Sequence, residues 1–145
     1  ALSKLDKTAD AVKKLETLKD YKLLNPALEP DLLNAYKLLS TLYISQDKYD
    51  LATPYIDKLM KSPDESLASS AFIRKGDILA RKNNKKEAAL AYFQAALLFP
   101  KSSDRPEALF KSSQMLTDLK DSRSAKFADI LKAEYPGNEY TKQLK

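Results

Sequence analysis

The side chains that most often do chemistry are missing from this chain. Its 145 residues contain no His and no Cys. That removes the commonest general base, the Ser-His and Cys-His nucleophile pairs, thiolate metal sites and most zinc sites. Two glycines, Gly76 and Gly137, are too few for a phosphate-cradling loop. Carboxylates remain. Asp64 with Glu65 is the closest acidic pair, and Asp118 and Asp121 flank a turn. Helix-start duty explains the first pair, and solvated helix ends explain the second. The chain reads as non-enzymatic and calls for no cofactor.

Binding chemistry is the remaining class. The net charge is +5, unevenly spread. Residues 1–65 carry 10 Lys and no Arg against 11 acids, whereas residues 66–145 carry 15 basic residues against 9 acids. The basic half holds the cluster Arg74, Lys75, Arg81, Lys82, Lys85 and Lys86. A solvated Lys-rich helix surface accounts for it. The cluster lacks interleaved exposed aromatics and the chain lacks a recognition motif, so nucleic acid is disfavoured. No apolar run is long enough to cross a bilayer, so membrane insertion is not expected. The chain opens Ala-Leu-Ser-Lys, with no initiator Met and no leader pattern, as in a fragment or a processed chain.

Helices must position these groups. Leu2, Leu5, Ala9 and Val12 recur at three and four and predict an amphipathic helix over 2–24, stopped by Asn25-Pro26. A second helix starts near Glu29-Pro30-Asp31 and carries Leu32, Leu33, Tyr36, Leu39, Leu42 and Tyr43. After Ser45-Gln46-Asp47 a third spans about Tyr49 to Met60. Pro54 either lies in its first turn or kinks it. Ser62-Pro63-Asp64-Glu65 reads as a start signal, with Ser62 as cap and Glu65 completing a capping box. Asp104 and Glu107 are placed as a second such pair. The last full helix runs from about Ser124 to Tyr135. Pro136-Gly137 ends it, and Asn138 can cap one more.

One period ties these helices together. Ala52, Ala88 and Ala125 each open the second helix of a pair, 36 and 37 residues apart. Tyr36, Phe72 and Leu109 share one place, and Tyr43, Leu79 and Leu116 another, with the same spacings. Ser40, Gly76 and Ser113 occupy a small site where paired helices come closest, and Pro63, Pro100 and Pro136 close each unit. Small residues let two backbones approach, and large residues on adjacent turns fill the flanking space.

The stretch Ser69–Pro100, with Phe72, Gly76, Ala88, Tyr92, Ala95 and Pro100, resembles a tetratricopeptide (TPR) repeat. The resemblance is looser in Leu33–Pro63 and in Pro106–Pro136, where Ser40 and Ser113 replace Gly. It implies an all-α right-handed superhelix of about three hairpins. The corresponding bounds are an N-terminal helix and connector over 1–28, repeats over 29–65, 66–103 and 104–136, and a further helix from 137. Leu-Leu-Phe-Pro-Lys-Ser-Ser at 97–103 and Ala-Glu-Tyr-Pro-Gly-Asn-Glu-Tyr at 133–140 look like inter-repeat turns of bacterial envelope TPR proteins. Those include the Tol-Pal-associated periplasmic protein and the outer-membrane assembly lipoprotein. This implies a periplasmic or outer-membrane-associated location.

The resemblance also implies a function. First helices line a concave face that binds a protein or peptide partner. By analogy with TPR grooves, that face is Asn34, Lys37, Thr41 and Ser45 in the first repeat, Ser70, Ile73, Arg74, Asp77 and Arg81 in the second, and Glu107, Phe110, Lys111, Gln114 and Asp118 in the third. Ile73 and Phe110, one period apart, are either an apolar floor for a peptide anchor or packing between neighbouring repeats. Thr41 and Asp77 stand where a chaperone-tail clamp has Asn, which disfavours that ligand. The expectation is a non-enzymatic protein-protein interaction scaffold. The alternative is a structural or oligomerisation segment of a larger assembly protein, acting through its exposed ends.

Overall fold

The structure is a computed structural model that describes residues 9–14, 17 and 29–144. These residues form helices and connecting turns, with no strand among them. The elements are α1 (Glu29–Ser45), α2 (Tyr49–Met60), α3 (Glu65–Arg81), α4 (Lys85–Leu98), α5 (Arg105–Asp118), α6 (Ser124–Glu134) and the short α7 (Glu139–Lys142). Residues 9–14 and 17 are also helical; the rest of the helix expected over 2–24 lies outside the described residues. No helix among the described residues is long and apolar enough to cross a membrane.

The chain divides into two compact units, residues 1–62 and 63–145. In the first, α1 packs against α2. Leu32, Tyr36, Leu39 and Tyr43 of α1 and Ala52, Ile56 and Leu59 of α2 are buried at three- and four-residue intervals. Tyr55 lies 5.5 Å from Tyr36 and 6.3 Å from Tyr43, centroid to centroid. Pro54 falls inside α2 rather than in its first turn, so one backbone donor of that helix is absent.

In the second unit α4 packs on both α3 and α5, and α5 packs on α6 and α7. Alanine makes the double contact of α4 feasible. Ala88, Ala89, Ala91, Ala95 and Ala96 are buried, so neighbouring backbones approach on two sides, and alanine also favours the helix itself. Leu109, Leu116 and Leu131 are almost fully enclosed, each stabilising the unit by roughly 1.5–3 kcal/mol through apolar burial. Phe93 stacks on Phe127 at 6.0 Å and joins α4 to α6.

The period seen in the sequence reappears in the backbone. Asp47, Asn83 and Lys120, the positive-φ non-Gly residues among the described ones, take φ of 57°, 62° and 57°. Each lies in the turn between paired helices. The residue after each donates its amide to a carbonyl five residues back: Lys48 to Tyr43, Asn84 to Leu79 and Asp121 to Leu116, all at 2.8 Å. This is a Schellman-type helix end, which requires a left-handed residue. The small sites Ser40, Gly76 and Ser113 are buried as their type suggests.

Two helix starts differ from the sequence reading. Asp64, not Ser62, caps α3: its carboxylate accepts the amides of Ser66 and Leu67 at 2.9 and 3.2 Å. Ser62 still belongs to the end of α2, donating its amide to Leu59. At α5 the side chain of Asp104 makes no cap hydrogen bond. Glu107 turns toward Lys111 instead of reaching back.

Candidate functional site

Three helices of the second unit bring charged groups together. Arg74 and Asp77 lie one turn apart on α3, Glu107 and Lys111 one turn apart on α5, and Tyr92 comes from α4 between them. Arg74 Nη1 donates to Asp77 Oδ2 at 2.6 Å and lies 3.6 Å from Glu107 Oε1. Lys111 Nζ donates to Asp77 Oδ1 at 2.9 Å and to Glu107 Oε1 at 2.7 Å. The Tyr92 hydroxyl donates to Asp77 Oδ1 at 2.7 Å. One carboxylate therefore accepts from three helices.

Gly76 makes this geometry possible. A Cβ at that position would lie 2.5 Å from Tyr92 Cε1 and 2.6 Å from Cδ1. Only a residue without Cβ lets the ring lie flat enough on α3 for its hydroxyl to reach Asp77.

The electrostatics follow from burial and pairing. Burial disfavours the Arg74 and Lys111 charges, but the facing carboxylates Asp77 and Glu107 outweigh it and hold both cations above their ordinary values. Burial, then the neighbouring Asp77 charge, pushes the Tyr92 phenol far up. Tyr140, 5.5 Å from Phe110, is also raised, by burial and by Glu107. Two cations face two carboxylates, so the cluster has no net charge. It staples α3 to α5 and exerts little long-range pull.

The residues expected on a binding face separate into three groups. Ile73, at 0% exposure, and Phe110, at 7%, lie in the core. Ile73 packs between helices, and Phe110, beside Tyr140, also lines the groove between α5 and α6. Asp77 and Lys111 are engaged in the network. Arg74 keeps 39% of its side chain exposed and uses only Nη1 among the described residues. Arg81, Gln114, Asn34, Lys37 and Thr41 are exposed, with the Thr41 hydroxyl donating to the Lys37 carbonyl at 2.9 Å. The last three belong to the first unit.

Sequence reading missed Arg105. Buried at 9% exposure, it donates Nε to the Ala96 carbonyl at 3.0 Å and Nη1 to Glu134. It thus caps the last turn of α4 and ties it to α6. The available signal was the period, which aligns Arg105 with the buried Ala68.

A groove of about 730 Å³ runs between α5 and α6, bordered by Gln143 and Leu144. Comparison with protein-family models, curated proteins and solved structures finds no match for this chain.

Proposed function

We propose that this chain is a non-enzymatic interaction module of TPR-like helical hairpins that holds an acidic segment of a partner protein along α3. The observation that carries this reading is the state of Arg74. Its guanidinium is fixed by Asp77, yet more than a third of the side chain is open and most of its donors are unused. A preoriented guanidinium suits a carboxylate or a peptide carbonyl, because its donors diverge in a rigid plane. Arg81 lies seven residues on, on the same stripe of α3, exposed and unpaired among the described residues. Two arginines two turns apart sit about 10 Å from one another along the axis. The partner segment would match them with acids or carbonyls at that spacing.

The test is affinity capture from the native cell extract with wild-type, Arg81→Glu and Arg74→Gln chains, quantified by mass spectrometry. The same chains are checked by circular dichroism. Folded variants that lose the proteins recovered by wild type support the reading. Folded variants that recover the same proteins in the same amounts overturn it.

A further inference from the structure

The charged side chains on the seam between α3 and α5 keep one register. Arg74 Nη1 lies 3.6 Å from Glu107 Oε1, and Asp77 Oδ1 accepts from Lys111 Nζ at 2.9 Å. Lys85, just past α3 at the start of α4, lies 3.9 Å from Asp118 Oδ2. The partners are 33, 34 and 33 residues apart in sequence. Each rung of this ladder sets a cation against an acid.

The same offset of 33 sets Arg81, the last residue of α3, against Gln114 of α5, between the second and third of these rungs. Each step along either side is then three or four residues, one helical turn. Here the pattern breaks. Arg81 meets a neutral amide where Arg74 and Lys85 meet a carboxylate. Both side chains are exposed, and neither has a hydrogen bond or ion pair among the described residues. The other carboxylates of the seam are engaged: Asp77 by Arg74, Lys111 and Tyr92, Glu107 by Lys111, and Asp118 by Lys85. The rung therefore offers a guanidinium and an amide, both donors, with no acid of its own. The helices that form it are full ones, of 17 and 14 residues.

We propose that the Arg81–Gln114 rung is the seat of one side-chain carboxylate of the partner, which completes the ladder in place of the missing acid. The proposal rests on the α3 reading above and sharpens it. It makes Gln114 of α5 a specificity-determining residue and makes the ligand group at this point an Asp or Glu side chain. The guanidinium takes the carboxylate in its plane, and the Gln114 amide donates to a carboxylate oxygen from the facing helix. A glutamate in place of Gln114 supplies the acid from within the chain and closes the seat. A second partner acid reaches Arg74. An extended segment rises about 3.3 Å per residue, so acids three residues apart span the ~10 Å between the two arginines.

The probe is a fluorescein-labelled peptide, Thr-Glu-Thr-Ser-Glu-Thr, titrated into the full chain by fluorescence anisotropy at low salt. Saturable binding is expected, and a peptide with both Glu replaced by Gln should not bind. The side-chain amide signals of Gln114 should shift with the Glu peptide alone. Arg81→Gln and Gln114→Glu should each weaken binding about fivefold, the scale of one exposed ion pair. Lys132→Gln, the same change of charge on the exposed face of α6, should leave it unaltered, which separates the seat from net charge. If Arg81→Gln weakens binding and Gln114→Glu does not, the Gln114 seat is overturned and the α3 reading stands. If neither alters binding, or if no saturable binding appears up to millimolar peptide, the seat is overturned as well. In that event, loss of captured proteins by Arg74→Gln would still uphold the α3 stripe.

Discussion

The Tyr92 hydroxyl of α4 donates to the Asp77 carboxylate of α3 across 2.7 Å, and the ring behind it occupies the space where Gly76 has no side chain. One hydrogen bond and one missing methyl group thus set the closest approach of these two helices.

The first prediction concerns that approach. Gly76→Ala places a Cβ inside the Tyr92 ring, which the Asp77 hydrogen bond keeps from swinging away. Overpacking of this kind costs about 1–3 kcal/mol, more than the modest helix-propensity gain of alanine. Chemical denaturation should show the loss, and Tyr92→Leu in the Gly76→Ala background should recover part of it. An unchanged midpoint for Gly76→Ala would mean the ring is not held there.

The second concerns alkaline pH. Tyr92 titrates well above its ordinary value in the fold, through burial and the Asp77 charge. In the unfolded chain it ionises near pH 10. Its contribution is therefore fully present below about pH 10 and is lost as pH rises toward the higher folded value. Lys111 and Arg74 are also raised and act in the same sense. Stability should fall with pH above about 10. Tyr92→Phe, although less stable at neutral pH, should show a shallower alkaline slope in urea melts.

A third prediction uses the helix ends. Lys120 holds φ of 57°, a region where a side chain with Cβ costs roughly 1–2 kcal/mol per residue. Lys120→Gly should raise the melting temperature, with a gain of about 1 kcal/mol. Asn83→Gly should gain less, because Asn tolerates the left-handed region. The two variants can be ranked by thermal denaturation side by side.

A fourth addresses Arg105. Its guanidinium satisfies a last-turn carbonyl of α4 and pairs with Glu134. Arg105→Ala should cost about 2 kcal/mol, the scale of a hydrogen bond to a charged group. Arg105→Lys should recover little of this, because a single ammonium cannot reproduce the planar fork. Equal stability of wild type and Arg105→Lys would show that only the charge matters.

Much of the fold was legible because local signals agreed. The polar turns at Asp47, Asn83 and Lys120 separate apolar patterns of helical period, and α2 runs from Tyr49 to Met60 as its pattern predicts. The small sites Ser40, Gly76 and Ser113 told the truth about close packing. Helix starts were less legible. Ser62 and Asp64 are both good caps, and the choice depends on whether the preceding helix still uses the first of them. Glu107 resembled a capping residue because Asp104 stands three residues before it, but Lys111, held in turn by Asp77 from a helix thirty or more residues away, takes its carboxylate instead. The same holds for Ile73 and Phe110. Their spacing left groove and packing open, and only the arrival of neighbouring helices decides exposure. Ala125 shows the converse, since it is exposed among the described residues although its place in the period is a packing position.

Asp77 accepts from α3, α4 and α5 at once, and this bears on how the second unit melts. Repeat proteins unfold as linked segments whose cooperativity resides in nearest-neighbour coupling. A carboxylate shared by two hairpins contributes to that coupling more than to the intrinsic stability of either. Replacing it with alanine should broaden the transition as well as shift it, so that α5 and α6 begin to fray while α3 and α4 remain paired. The width of the melting curve, more than its midpoint, is where this residue registers.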